Sequence, residues 1–515
     1  MVTLAFPTTA ARARRLLHGL LLAALATSSL ALLVLTVDTL PVLTALAACA
    51  AGVALLIRPD LATLIVMLLL YVNVPAILTQ RLGLPDVVAG SFVLLLGVPL
   101  VQILTLQRRQ MKADLVFFCM IAYFGVLVLS SLWAVDRQIA LGRVRGFVFE
   151  GLLLYWLTIN VVRDLPTLRK VMATLLAGGA LVSALCLYQE VTGSYSQDFG
   201  GLAYRNFDVL RDGDVRDQVG RGKYDRAQGP VNEPNRFAQI LIVLVPMAVY
   251  LYRTTRVSFA RHVAAAAGAM ILIGIALTLS RGAIVALGLM AATMAWLRWV
   301  RRGRIVACAV GLLVVLPIVA PFYLDRVGSL VNVTHLVGGD RADYRDADGA
   351  MRGRLTEMLA AWYVFLDYPA LGVGPGQFGP FYVERYSREP AIKFRQIQGA
   401  RRAHTLYLEI AAETGLAGLL AFLAIAGVVL RRLWRLRAAW LGRDPARADL
   451  VTAFWLSLLA YLCTGVFLHL SYQRYYWLLL ALATAALHVL GPATHPQARR
   501  APIPIQGGVR WQQSR

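Results

Sequence analysis

Long apolar runs follow one another along most of this chain of 515 residues. A helix that crosses a bilayer needs about 20 predominantly apolar residues. Runs of about this length fall near residues 16–36, 39–57, 61–79, 87–106, 114–133, 146–162, 168–191, 236–252, 260–279, 281–300, 303–323, 404–430, 450–469 and 475–491. With 58% hydrophobic and 15% charged residues, the chain is predicted to be an all-α polytopic membrane protein of about 12–14 transmembrane helices.

The distribution of positive charge predicts the topology. The formal net charge is +23, which in a soluble chain would indicate a nucleic-acid partner. Here lysine and arginine are concentrated in short loops between apolar runs, near 108–112, 163–170, 253–261, 298–304 and 431–447. Because cytoplasmic loops carry the excess of positive charge in membrane proteins, we expect these loops and both termini to be cytoplasmic. No nucleic-acid partner is expected.

Two long polar segments then lie on the external face and divide the chain. The predicted parts are N-terminal transmembrane helices (1–192), an external loop (193–235), central transmembrane helices (236–323), a large external loop (324–403), C-terminal transmembrane helices (404–491) and a cytoplasmic tail (492–515). Within the larger loop, apolar residues from Leu355 to Leu366 follow helical spacing and stop before Pro369. This pattern predicts an amphipathic helix over the mouth of the membrane, followed by a glycine-rich turn at 371–379.

A histidine stands where this large loop meets the next apolar run. His404 follows Arg401 and Arg402 and precedes an almost purely aliphatic stretch. On a helix, His404 would share a face with Gly415, and small residues allow a neighbouring helix to approach closely. Long loops inside compact proteins usually carry function, so His404 is a candidate site residue. A structural histidine at the membrane interface is the alternative.

Arginines are abundant in the segments that are predicted to face outward, although Asp and Glu nearly balance their charge. Arg281, in the sequence TLSRGA, occupies a tight external turn, where the cytoplasmic excess of positive charge does not explain it. A guanidinium binds phosphate oxygens through two parallel hydrogen bonds, which suits a phosphate-bearing lipid. Asp346 and Asp348 form the only acidic pair with a metal-binding pattern, and a solvated loop is the preferred interpretation. No phosphate-binding loop for ATP is present, and the five cysteines fall in apolar runs, without zinc-site spacing.

Several stretches resemble the superfamily of O-antigen ligases and Wzy-type polymerases. The ligase signature is His, then Asn, Ser or Gln, nine free positions, and Gly-x-x-Gly-Thr-x-Gly; His404, Gly415 and Gly418 occupy the matching positions. Further family-like stretches occur in the expected order: LSSLWAVD (129–136), GPVNEPNRFA (229–238), TLSRGA (278–283) and RLTEMLAAW through LGVGPGQF (354–378). The resemblance covers most of the chain from about 115 to 430.

The resemblance implies a membrane glycosyltransferase of the bacterial inner membrane. Its donor would be an undecaprenyl-diphosphate-linked glycan, and its acceptor a hydroxyl group of a glycan, lipid or protein on the external face. Transfer would invert the anomeric carbon without metal, ATP or other cofactor. His404 would accept the proton of the acceptor hydroxyl. Arg281 and Arg354 would stabilise charge on the departing diphosphate, with Arg402 contributing to the same anion site.

Departures from the signature leave alternatives open. Thr405 replaces the amide or serine, Leu419 the threonine and Ala421 the last glycine. A repeat-unit polymerase, or a ligase for another acceptor, is therefore as well supported as a lipid A-core ligase. A lipid-linked oligosaccharide flippase has about as many spans, but it needs no large external loop. A metal-dependent membrane glycosyltransferase usually carries an acidic pair in its first external loop, where this chain has only Asp38.

Overall fold

The computed structural model describes residues 59–205, 226–319, 349–386, 401–468 and 473–491. In these ranges the chain is helical, and a single isolated bridge between Tyr204 and Gly229 is the only β-type pairing. The α-helices are α1 (Pro59–Tyr71), α2 (Val74–Leu82), α3 (Asp86–Ser91), α4 (Gly97–Leu106), α5 (Leu115–Ser131), α6 (Arg137–Phe147), α7 (Leu154–Val161), α8 (Leu165–Thr192), α9 (Pro234–Ile242), α10 (Leu244–Thr254), α11 (Ser258–Leu277), α12 (Arg281–Trp296), α13 (Arg302–Val319), α14 (Gly349–Asp367), α15 (Phe378–Tyr386), α16 (Leu406–Leu441), α17 (Pro445–Thr464) and α18 (Gln473–Leu490).

The prediction of an all-α polytopic membrane protein is confirmed. Seven helical segments in the described ranges are long and apolar enough to cross a membrane: Val87–Thr105, Arg137–Val161, Leu165–Thr192, Pro234–Thr254, Ser258–Leu277, Leu406–Leu441 and Pro445–Thr464. The bent pair formed by α1 and α2 raises this number to eight if it is one span. The runs predicted at 16–36 and 39–57 lie outside the described residues.

The bend between α1 and α2 has a visible cause. The two helices meet at 61°, and Asn73 between them adopts the left-handed conformation with φ 62°. Its side-chain amide donates to the carbonyl of Pro230 at 2.7 Å. Pro75 in the first turn of α2 cannot supply the N–H that a continuous helix would need. The break therefore brings α2 beside the 229–238 stretch.

An aromatic cluster ties four helical segments together in the interior. Tyr123 of α5, Phe147 of α6, Phe422 of α16 and Trp477 of α18 pack with ring centroids 5.2–6.3 Å apart. Phe147, Phe422 and Trp477 are fully buried. Aromatic pairs at such separations stabilise beyond the area they bury, by about 0.5–1.5 kcal/mol each. The cluster fixes the position of α16, whose first turn follows His404.

The helix predicted in the large loop is present as α14, Gly349–Asp367, which ends two residues before Pro369. It packs on α16 and on α15. Ala360, Ala361 and Val364 form its buried side, whereas Trp362 and Leu366 are exposed. The acidic pair Asp346 and Asp348 lies outside the described residues, as does His335.

Candidate active site

Helix α16 is broken at Gly415, which the sequence pattern does not predict. The helix begins at Leu406, so His404 lies outside it, and Gly415 has φ 64° and ψ −165°. This conformation is open almost only to glycine. The expectation that His404 and Gly415 share one face of a continuous helix is therefore wrong. The glycine allows the chain to bend where another backbone approaches.

That approaching backbone is the glycine-rich turn after α14. Four backbone hydrogen bonds join it to the broken region: Leu416 N–H to Pro369 O (2.7 Å), Ala417 N–H to Ala370 O (3.3 Å), Val373 N–H to Ala412 O (3.0 Å) and Gly374 N–H to Glu413 O (2.9 Å). A Cβ at Gly415 would collide with the carbonyl of Ala370, and one at Gly372 with the backbone of Glu413. We call this contact between 369–374 and 412–417 the backbone seam. It holds α14 and α16 together by main-chain atoms.

The 129–136 stretch supports the seam from the other side. Ser130 donates its hydroxyl towards the carbonyls of Leu371 and Glu413, at 2.6 and 2.8 Å. Gln377, which is buried, accepts from the N–H of Asp136 and donates to its carbonyl, both at 2.9 Å. Three family-like stretches therefore meet at one place, although Ser130 and Glu413 are 283 residues apart in the sequence.

His404 lies before the first turn of α16, with its ring against a buried carboxylate of α14. Its Nε2 is 3.2 Å from Oε2 of Glu357 on α14, and the other carboxylate oxygen is 3.7 Å from Nη1 of Arg401. The His404 side chain is 27% exposed, whereas that of Glu357 is 1% exposed. His404 also has φ 52°, in the left-handed region that non-glycine residues rarely adopt. The ring is therefore accessible to solvent and is held in place by the buried Glu357 carboxylate.

This pairing sets which ring nitrogen can accept a proton. In neutral imidazole one nitrogen donates and the other accepts. When Nε2–H donates to the Glu357 carboxylate, Nδ1 is the basic nitrogen. The carboxylate also stabilises the ring once it is protonated. A histidine held in this way has the arrangement of a general base with an orienting acid.

Arg402 has a carboxylate partner of its own on α16. Its guanidinium binds both oxygens of Glu409, one through Nη2 and one through Nε at 3.2 Å. Glu409 is buried and also accepts from the N–H of Ala403 at 3.4 Å. Burial by itself lowers the pKa of Arg402, but the Glu409 carboxylate outweighs burial and the pKa lies above its usual value. The pair fixes the residues that precede His404.

Arg354 and the turn that carries Arg281 line one narrow cleft. Arg354 lies one helical turn before Glu357 on α14, and Ser280, Gly282 and Asn235 line the cleft with it. Arg281 is the first residue of α12, whose N-cap Ser280 accepts from the N–H of Ala283. The end of α17 closes the cleft. Arg354 thus connects the His404–Glu357 pair with the turn of Arg281.

The 226–239 segment attaches the turn of Arg281 to the same region. Arg226 donates to the carbonyl of Thr278 at 2.7 Å and to Oδ1 of Asn235 at 2.8 Å. Gln239 donates to the hydroxyl of Thr464 at 2.8 Å. The N–H of Leu406 donates to the carbonyl of Gly465 at 2.8 Å. These bonds place the 229–238 and 278–283 stretches next to the end of α17, which in turn contacts the start of α16 beside His404.

Residues 265–423 match a family model described as O-Antigen ligase. Over these residues the chain is similar to the O-antigen ligases, which supports the resemblance to the superfamily of O-antigen ligases and Wzy-type polymerases. The matched segment contains Arg281, Arg354, Arg402 and His404, the four site residues that the sequence singles out. A comparison with curated proteins found no match.

The sequence analysis does not identify three polar residues of this region. Glu357 and Glu409 pair with His404 and Arg402. Arg143 of α6 packs against Gly376, where a Cβ would lie 2.9 Å from its side chain, and it is close enough to Arg402 and Glu413 to interact electrostatically. One feature of the sequence could have identified Glu357: it lies three residues after Arg354 and therefore on the same side of α14. No feature of the sequence identifies Arg143.

The described residues contain no group of three or more His, Cys, Asp or Glu side chains placed to hold a metal ion. The carboxylates of this region are instead next to basic side chains. Glu357 contacts His404 and Arg401, and Glu409 contacts Arg402. The arrangement therefore offers a base and several guanidinium groups for chemistry on an anionic substrate.

Proposed function

We propose that this protein transfers or polymerises a glycan from an undecaprenyl-diphosphate donor onto a hydroxyl acceptor. Transfer takes place at the external face of the bacterial inner membrane and inverts the anomeric carbon. The observation that carries the proposal is the His404–Glu357 pair, one helical turn from Arg354 and its cleft. The O-antigen ligase match over 265–423 supports the same class of reaction.

In this mechanism Nδ1 of His404 takes the proton of the acceptor hydroxyl, while the Nε2–H group stays hydrogen-bonded to the Glu357 carboxylate. The hydroxyl oxygen attacks the anomeric carbon, and the bond between that carbon and the diphosphate oxygen breaks. The leaving diphosphate takes the bonding electron pair. Glu357 does not contact the substrate; it orients the ring and stabilises the imidazolium.

Arg354 and Arg281 stabilise the charge that develops on the leaving diphosphate. Arg281 stands at the N-terminus of α12, where helix N–H groups and the helix dipole favour an anion. The positive charge of the Arg281 guanidinium adds to this attraction, so the position suits a phosphate group. The cleft now encloses about 10 Å³, room for about one water molecule. Donor binding therefore requires α14 or the end of α17 to move.

Arg402 takes a different role from the one that the resemblance implies. Glu409 already occupies its fork of donors, which reduces the capacity of Arg402 to bind phosphate. We assign to Arg402 the positioning of the 401–405 segment, and through it of His404.

Arg281→Lys tests the anion site. Lysine keeps the charge but loses the two parallel donors, so transfer in a donor-lipid assay should fall roughly 10- to 100-fold, since a charge-assisted hydrogen bond contributes about 1.5–3 kcal/mol. Arg432→Lys, at an exposed position on the far half of α16, is the matched control and should transfer normally. Equal rates for both variants would mean that Arg281 only anchors α12 at the membrane boundary.

Glu357→Gln tests the orienting carboxylate. The amide has the same shape but cannot stabilise the imidazolium, so kcat should fall roughly 10- to 100-fold with little change in KM for the donor. Arg401 is 44% exposed, so water can solvate it in the variant, and thermal stability should change little. Glu357→Asp, which restores the charge, should recover part of the rate. Loss of folding without any selective loss of kcat would show Glu357 to be structural only.

Ligase and polymerase activities differ in the acceptor. With purified protein and donor lipid alone, a polymerase should lengthen the glycan on its lipid carrier. A ligase should leave the donor unchanged until an acceptor bearing a free hydroxyl is added.

A further inference from the structure

A second basic site lies at the opposite end of the helices from His404. It is an open cleft of about 560 Å³ between the start of α8, the end of α10 and the loop that connects α16 with α17. Arg169, Arg256 and Arg447 line it, together with the single carboxylate of Asp444. These arginines come from three of the short basic loops that the sequence predicts to be cytoplasmic. The cleft has no part in the reaction proposed for His404.

Two of the arginines are held in place by aromatic residues. Arg169 lies over the ring of Tyr250, 5.5 Å from its centroid, and its Nε donates to the Tyr250 hydroxyl at 2.6 Å. Arg447 lies 4.4 Å from the centroid of Trp440 and its Nε is 3.1 Å from Asp444. Such contacts orient a guanidinium and reduce the side-chain entropy lost when it binds a ligand.

The charges of the cleft do not balance. One carboxylate faces three guanidinium groups, and Asp444 also accepts from the N–H groups of Ala446 and Arg447 at the start of α17. Arg256 is exposed at the edge of the cleft. Among the described residues Arg169 forms no ion pair, and its hydrogen bond to Tyr250 uses only Nε. The cleft therefore favours an anionic ligand.

The cleft lies at the ends of membrane-length helices. Leu165, Leu251 and Leu450 line it beside the arginines, and the segments that bear them are long and apolar enough to cross a membrane. Leu251 and Leu450 are buried, whereas Leu165 is partly exposed. Basic residues at the ends of membrane-spanning helices are placed to meet the phosphates of anionic lipids, so a phospholipid headgroup is the ligand that this position favours over a free phosphate.

We propose that this cleft binds the headgroup of an anionic phospholipid. Arg169 and Arg447 contact the phosphate, Arg256 adds positive charge at the edge, and the partly exposed Leu165 contacts the upper part of an acyl chain. The bound lipid joins α8, α10 and α17 at the end of the molecule remote from His404.

Thermal unfolding of the full-length protein in detergent tests this site. Added phosphatidylglycerol should raise the Tm and saturate, whereas phosphatidylcholine, which is zwitterionic, should do so weakly. Arg169→Gln, Arg447→Gln and Arg256→Gln should each raise the lipid concentration for half-saturation about fivefold, since an arginine near an anionic lipid contributes about 1 kcal/mol. Added salt should weaken the effect.

Arg435→Gln is the matched control, because Arg435 is exposed on α16 and does not line the cleft. It should respond to phosphatidylglycerol like the unmodified protein. Because Arg256 is exposed, Arg256→Gln should fold normally, so a weaker response to lipid in this variant reflects binding and not misfolding. Equal stabilisation by phosphatidylcholine, full stabilisation by inorganic phosphate alone, or an equal defect in Arg435→Gln would each overturn the proposal. None of these measurements depends on glycan transfer, so the result is independent of the function proposed for His404.

Discussion

Replacing His404 with alanine is expected to lower the rate of glycan transfer by about 10²–10⁴-fold, the usual contribution of general acid–base catalysis. The loss should appear in kcat, because the guanidinium groups of Arg281 and Arg354 remain to bind the donor. The measurement is single-turnover transfer from a purified lipid-linked donor, alongside donor binding by the same variant.

The His404→Ala protein should still fold. Its ring is 27% exposed and the Glu357 carboxylate keeps Arg401 as a partner, so no buried charge is left alone. His262→Ala is the matched control: His262 is exposed near the start of α11 and bonds only to Ser258 among the described residues. A folded His404→Ala protein with wild-type transfer would rule out the mechanism. Lost folding together with lost activity would indicate a structural histidine.

Replacing Gly415 with alanine is expected to destabilise the protein strongly. The left-handed backbone of Gly415 costs a side chain about 1–3 kcal/mol, and forcing a methyl group against the Ala370 carbonyl costs about 1–3 kcal/mol more. Relief of the clash would separate the seam and displace α14, which carries Glu357 and Arg354. Both the Tm and the transfer rate should fall.

Gly427→Ala provides the comparison within the same helix. Gly427 is exposed, has helical backbone and no atom within 4 Å of an added Cβ. Alanine there should be neutral or stabilise by up to about 1 kcal/mol, the difference in helix propensity. If both variants lose stability equally, the loss reflects helix composition and the seam is unimportant.

Hydropathy predicted the helices well, because a backbone in lipid must satisfy its own hydrogen bonds and so forms long apolar helices. The spacing of Leu355 to Leu366 likewise predicted α14. The break at Gly415 was not predictable, because an aliphatic run around a glycine looks the same whether the helix continues or bends. Its conformation depends on a turn more than 40 residues earlier, which the local pattern does not contain.

The site shows the same limit. His404, Arg354 and Arg281 could be chosen from the sequence because each is a polar residue in an unusual position. Their partners could not, since Glu357 and Glu409 look like ordinary charges on amphipathic helices. Arg402 illustrates the consequence: only its contact with Glu409 reveals that its donors are already occupied.

The backbone seam also predicts how related chains can differ in length. Main-chain atoms pair with main-chain atoms along it. The seam therefore constrains the number of residues in each segment more than the identity of their side chains. One residue inserted between Pro369 and Gly374 would shift each pairing and move Gln377 away from Asp136. Leu419 and Ala421 lie beyond the seam, so these departures from the signature leave it intact. Alignments of related sequences should therefore show gaps on either side of the seam and none within it.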